Sequence, residues 1–180
     1  MTAISGSAAA VTGAAGGIGR ALALGLAARG CDLALADRDE AGLQQVAAEI
    51  AKVATRKVST HRVDVGEPAQ IQEFANAATS AHPSLNIVIN NAGVALLGAF
   101  NEVDQAQMEW LININFWGVV HGTRAFLPHL RRSARRISST SPRSSASSPR
   151  PDKPPIARRN SRCAAFRKAC GMSWRWRTVR

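Results

Sequence analysis

The run Thr12-Gly13-Ala14-Ala15-Gly16-Gly17-Ile18-Gly19 constrains the fold more than any other stretch of this chain. It is entered from the small apolar residues Ala8 to Val11 and leaves into Arg20-Ala21-Leu22-Ala23-Leu24. That pattern predicts a strand, a tight turn and a helix. Glycines are needed in such a turn because a side chain would block it and hold a ligand phosphate away from the backbone. The helix that follows offers its unpaired N–H groups and the positive end of its dipole to an anion. The spacing is Gly13-x-x-x-Gly17-x-Gly19, which differs from the G-x-G-x-x-G dinucleotide fingerprint. On this stretch alone a structural turn without a ligand stays open, and the later chain decides.

Ile18, Leu22 and Leu26 fall at helical spacing, and Arg29-Gly30 closes that helix. Cys31 to Ala36 reads as a short apolar strand ending at Asp37. An acid at the end of a second strand, about 20 residues after a glycine turn, is where a dinucleotide fold binds ribose hydroxyls. Asp39 and Glu40 follow at once, so a helix N-cap or a loop acid is the competing reading of Asp37. Ala41 to Val53 predicts a helix, Lys57 to Val63 a strand delivering Asp64-Val65, and Pro68 opens a further helix whose inner face holds Ile71, Phe74, Ala75 and Ala78.

Pro83 ends that helix, and Leu85 to Ile89 is an almost wholly apolar strand, as in a parallel sheet covered on both faces. It runs into Asn90-Asn91-Ala92-Gly93. Asn and Gly are turn formers, but the C-terminal end of a strand is where open α/β sheets bind ligands. Gln105 to Leu130 predicts one long apolar-rich helix carrying Asn113, Asn115, Trp117, His121 and Arg124. His121 reads as a packed or surface histidine, not a catalyst.

A formal charge of +11 over 180 residues points toward a nucleic-acid partner, but the charge is unevenly placed. Residues 1–130 hold eight Lys/Arg and eleven Asp/Glu, whereas residues 131–180 hold fifteen Lys/Arg and only Asp152, a net of +14. Thirteen of fourteen glycines lie in the first part and five of eight prolines in the second. The expected organisation is therefore a domain over 1–130 and a Ser/Pro/Arg-rich basic tail over 131–180, disordered because it cannot bury enough apolar surface to offset chain ordering. Cys31, Cys163 and Cys170 have no metal-ligand spacing and suggest no disulfide framework, so no metal site is expected. No leader or membrane-spanning run is visible, which predicts a cytoplasmic protein.

Residues 5–130 resemble the N-terminal half of the short-chain dehydrogenase/reductase family. The resemblance is carried by Thr12-Gly13-x-x-x-Gly17-Ile18-Gly19, Asp37, Asp64-Val65, Asn90-Asn91-Ala92-Gly93 and Asn113-x-Asn115-Phe116-Trp117-Gly118, in the family's order. It implies a Rossmann-like doubly wound parallel sheet, here truncated after the fourth strand and its following long helix, with strand order 3-2-1-4. It further implies that Gly13, Gly17, Ile18 and Gly19 hold a pyrophosphate, that Asp37 binds the adenosine ribose, and that Asp64 and Val65 flank the adenine. Asn91, Ala92 and Gly93 would pass the nicotinamide ribose, and Asn115 would be the family's helix asparagine. The cofactor implied is NAD in preference to NADP, because Asp37 would repel a 2′-phosphate, with Arg38 as the complication. The implied reaction is hydride transfer between a small-molecule alcohol and a ketone.

The family's chemistry also needs a serine on a strand followed by Tyr-x-x-x-Lys, and this sequence contains no tyrosine. The genetic code offers a reason. In one neighbouring reading frame Thr140 permits Asn, Pro142 and Arg143 permit Ser, Ala146 Gly, Ile156 Tyr, Arg158 Ala and Asn160 Lys, in the family's order and spacing. The sequence thus reads as a dehydrogenase whose frame shifts between about Pro128 and Ile137, inactive as written. Two alternatives stand beside it. One is a non-catalytic pseudoenzyme that still binds a dinucleotide. The other is a nucleic-acid-binding protein using the tail, which should in any case hold polyanions without sequence preference. The loss of the later half makes the family's homo-oligomer doubtful.

Overall fold

The computed structural model describes residues 4–98 and 101–139, with side chains as far as Arg132. A four-stranded parallel sheet in the order β3-β2-β1-β4 is built from β1 (Ala8–Thr12), β2 (Asp32–Asp37), β3 (Val58–Arg62) and β4 (Leu85–Ile89). This is the expected order, with β1 placed centrally between β2 and β4. Because β1 is covered on both faces, its side chains are small and wholly buried. Ala8 and Ala10 face one hydrophobic cluster, while Ala9 and Val11 face the other.

On the second of those faces lie α1 (Gly17–Ala28) and α2 (Glu40–Val53). Ala23 and Ala27 bring α1 close to the sheet, and Leu43, Val46 and Ile50 of α2 fill the space over Leu33 and Leu35. Asp39 caps α2, its side chain accepting the Gly42 N–H, so the capping role considered for Asp37 belongs two residues later. On the first face, α3 (Pro68–Ala81) begins with its proline in the first turn and buries Ile71, Phe74, Ala75 and Ala78, as its spacing predicts. Phe74 meets Phe126 edge-on at 5.4 Å between ring centroids, which ties α3 to the last helix. Truncating either ring would cost about 3–5 kcal/mol.

The expected single helix over 105–130 is corrected in two ways. It is divided into α4 (Gln105–Ile112), a π-helical turn (Asn113–Trp117) and α5 (Gly118–Ser139). It also runs nine residues past Leu130, so the helix crosses the boundary expected there. Arg and Ala are strong helix formers, and Arg131-Arg132-Ser133-Ala134-Arg135-Arg136 prolongs a helix already nucleated by packing. Pro128 sits inside α5 at the loss of one backbone donor. The expectations for residues 140–180, including the positions of Arg143, Ile156 and Asn160, lie outside the described residues.

Among the described residues no helix is long and apolar enough to cross a membrane.

Candidate dinucleotide site

The C-terminal ends of β1, β2 and β4 bring most of the expected residues together. Gly13 turns the chain with φ +66°, and a Cβ there would stand 2.8 Å from Ala92 Cα. A Cβ on Gly19 would strike the Gly13 carbonyl. These two glycines are therefore required for packing. Gly16 and Gly17 differ, since a Cβ on either meets nothing within 4 Å. They lie at the N-terminus of α1 and face open space, with Gly17 also in the left-handed region at φ +51°. Ile18 is exposed beside them. Arg20, the nearest cation in sequence, pairs with Glu49 at 2.7 Å.

The turn is tied to β4 by Thr12 and Asn91. Thr12 Oγ1 accepts the backbone N–H groups of Asn91 (3.0 Å) and Ala92 (3.1 Å). The Asn91 side-chain amide donates to the Thr12 and Gly13 carbonyls, both at 3.1 Å. Asn91 thus spends its side-chain donor on shaping the glycine turn. On the other side, Asp37 Oδ2 accepts the Ala15 N–H at 3.0 Å and Oδ1 accepts the Asp39 N–H at 3.1 Å. Each oxygen keeps a second lone pair for a further donor. The Ala14 N–H also reaches the Ala36 carbonyl at 3.2 Å, so the turn is fastened to β2 as well.

Asp64 Oδ1 accepts the Gly66 N–H at 2.8 Å and so shapes the turn after β3. That turn touches the last helices, because Asn113 donates to the Gly66 carbonyl at 3.2 Å and Gly118 leaves room for Val65. Asn115, in the π-helical turn, accepts the Val94 N–H and donates to the Val94 carbonyl, both at 2.8 Å. A Cβ on Gly93 would stand 3.3 Å from Asn115 Oδ1. Gly93 and Asn115 are therefore neighbours, whereas His121 is stacked on Trp117 at 5.9 Å.

Two features escaped the sequence reading. Thr12 was visible only as the first residue of the glycine run, not as the group that joins β1 to β4. A chain of Ser59 and two histidines lies elsewhere, at the far end of α3, with Ser59 Oγ 2.9 Å from both His82 Nε2 and His61 Nε2. His82 is 2% exposed, and its Nδ1 has no partner among the described residues. Burial, followed by the neighbouring Lys57 charge and partly offset by Asp32, holds His82 below the usual histidine range. Burial and then His82 do the same to His61. Burial pushes the Cys31 thiol up to about 11, so it stays protonated. Among the described residues no three His, Cys, Asp or Glu side chains stand where they could hold a metal ion.

Comparison with known proteins agrees with this geometry. A family model described as short chain dehydrogenase matches residues 7–148. SadH of Mycobacterium tuberculosis, named as an oxidoreductase, is 39% identical over 130 residues, 72% of this chain and 47% of that protein. An 11-beta-hydroxysteroid dehydrogenase A of Arachis hypogaea is 35% identical over 128 residues, 71% of this chain and 37% of that protein. Among solved structures, a Burkholderia phymatum short chain dehydrogenase/reductase in complex with NAD aligns with TM-score 0.69 and 36% identity, covering 72% of this chain and 46% of that one. A metagenomic short-chain oxidoreductase in complex with NADP aligns with TM-score 0.68 and 32% identity, covering 73% and 60%. The chain spans less than half the length of the curated relatives named here.

Proposed function

Because this chain belongs to the short-chain dehydrogenase family, we propose that its described part is the dinucleotide-binding half of an alcohol–ketone oxidoreductase, and that the chain as written binds cofactor without turning substrate over. One observation carries the binding half of this reading. Of the glycines in the turn, Gly13 and Gly19 are closed in by packing, while Gly16 and Gly17 face open space at a helix N-terminus. Gly17 is also required by its positive φ, but a turn with only a structural role has no need of an uncrowded, extended Gly16, whereas a pyrophosphate needs close backbone approach there. The residues present therefore fit a nicotinamide dinucleotide, which when bound supplies the hydride donor or acceptor.

In this reading Gly13, Gly17, Ile18 and Gly19 hold the pyrophosphate through backbone N–H groups. Asp37 uses its remaining lone pairs on the adenosine ribose, and its charge disfavours a 2′-phosphate, so NAD is preferred to NADP. Asp64 and Val65 border the adenine, and Asn91, Ala92 and Gly93 border the nicotinamide ribose. Asn115 commits its side chain to Val94. Its second amide hydrogen and second lone pair remain for a neighbouring lysine or a relay water.

The missing part is acid–base chemistry. Hydride delivery to a carbonyl leaves an alkoxide that needs a proton, and the family's donor is a tyrosine assisted by a lysine and a serine. The sequence has no tyrosine. The displaced frame would put Ser, Tyr and Lys where Arg143, Ile156 and Asn160 now stand, and we take the frame change as the cause of the loss. Reading the DNA across residues 125–165 and assaying both chains by nicotinamide absorbance tests this. The expected result is a frame that spells those residues and turnover only from the restored chain. Turnover from the chain as written, or a neighbouring frame that spells something else, would overturn it.

A further inference from the structure

The two edges of the sheet differ in chemistry. β3 presents Ser59, Thr60, His61 and Arg62, preceded by Arg56 and Lys57, which is the polar, charged kind of edge that resists further pairing. β4 offers Asn86-Ile87-Val88-Ile89, with neither a charge nor a proline, and it has one strand neighbour, β1, among the described residues. Its two faces are also unequal. α5 packs over the side where Val88 joins the cluster of Phe74 and Phe126. On the other side α1 and α2 lie over β1, β2 and β3, and Ile87 and Ile89 are left half-buried. In β1, covered on both sides and paired on both edges, no side chain is comparably open.

We propose that the outer edge of β4 pairs with the same edge of a second copy of this chain. The pairing is antiparallel about a two-fold axis, so that two sheets join into one and Ile87 and Ile89 are covered. A strand is complementary to itself under a two-fold axis, because each N–H then meets the partner's C=O. The pairing uses both β4 edges and leaves the two polar β3 edges outermost, so association stops at two copies. The chain's own continuation is a poor substitute. Between Ser139 and Ile156 stand Pro142, Pro149, Pro151, Pro154 and Pro155, none of which can donate to a strand ladder. The inference is independent of whether the chain binds a dinucleotide.

Hydrogen exchange of the full 180-residue chain at several concentrations, alongside sedimentation, tests this. We expect a dimer in which the amides of residues 86–89 that face away from β1 slow at least tenfold as concentration rises, while those of 58–62 do not change. Ile87→Lys and Ile89→Lys should give monomers with unchanged far-UV circular dichroism. If either variant unfolds, the exchange pattern of the unsubstituted chain decides alone. A chain that stays monomeric throughout would overturn the proposal, whether or not its β4 amides are already protected at the lowest concentration. A dimer protected at some other element would overturn it as well.

Discussion

At the C-terminal ends of β1 and β4, four hydrogen bonds join Thr12 and Gly13 to Asn91 and Ala92, and Asp37 fastens the same turn to β2. Beyond Leu130 the sequence sets fifteen Lys/Arg and five prolines against a single acid. In the first region Thr12, Asn91 and Asp37 all have stated partners, and each glycine of the turn is either packed or facing open space at a helix N-terminus. In the second, no run of residues repeats the apolar pattern that built β1, β2 and β4. The difference teaches that, in the reading proposed above, the dinucleotide-binding half can be specified by local turns while the sequence beyond Leu130 carries no tyrosine for the other half. The proposed binding half rests on the turns after β1, β2, β3 and β4, and among the described residues its hydrogen bonds are made between those turns and with Asn113 and Asn115.

The largest expected effect comes from exchanging the second region. Restoring the frame upstream of Ile137 should raise turnover by at least about 10²–10⁴-fold, the usual worth of a positioned acid–base group. By contrast, the point substitutions Arg143→Ser, Ile156→Tyr and Asn160→Lys made together in the present frame should restore nothing, because the residues between them stay unsuited to a strand and a helix. Activity from the triple substitution would break the comparison, and both rates can be read by nicotinamide absorbance.

Within the first region, Asn91→Ala removes the donor to two carbonyls at once. Hydrogen bonds of this kind contribute about 0.5–1.5 kcal/mol each, so a loss of about 1–3 kcal/mol is expected in denaturant unfolding. Cofactor affinity should fall with it, because the turn loses its tie to β4. Asp37→Ala should weaken NADH binding about tenfold and improve NADPH binding, measured as paired titrations. An unchanged ratio of the two would mean that Arg38, not Asp37, sets the preference.

How far the sequence revealed this depends on the range of the interaction. The inner face of α3 and the glycine turn follow from periodicity and spacing over a few residues, while the strand order comes only with the family resemblance; Ile71, Phe74, Ala75 and Ala78 are buried as their spacing requires. The π-helical turn at Asn113–Trp117 does not follow, because it depends on how Asn113 and Asn115 reach Gly66 and Val94 in other elements. Nor does the role of Thr12, whose partners lie 79 and 80 residues away. The end of α5 at Ser139 was hidden by composition, since an arginine-rich run reads equally well as tail or as helix.

Ser59, His61 and His82 are a further case of distant partners, and they make the folded domain sensitive to acid. If His82 donates Nε2–H to Ser59, and Ser59 donates to His61, the buried His82 Nδ1 carries only a lone pair. That is the less costly group to leave without a partner. Protonation would place a buried N–H and a charge there, facing His61 and Lys57, with Asp32 opposing. Both histidines titrate below the ordinary value of 6.5, so the unfolded chain takes up protons first as pH falls. Stability should be full above about pH 6.5 and decline as the pH falls toward the folded-state values. Thermal unfolding of the full chain against His82→Gln checks this, and an equal decline in both would assign the effect elsewhere.

The smallest and least specific effect belongs to the second region. With a net charge of +14 over residues 131–180, the chain should hold polyanions without sequence preference and release them as salt rises toward physiological strength. Sequence-selective binding that survives high salt would give that region a function of its own.

Fluorescence titration of NADH into the 180-residue chain tests most directly whether the binding half is complete in itself. The account predicts saturable binding, tighter than that of NADPH, and its loss in Gly19→Ala, where the added Cβ would strike the Gly13 carbonyl. A folded chain that binds neither cofactor, or one whose binding is untouched by Gly19→Ala, would contradict it.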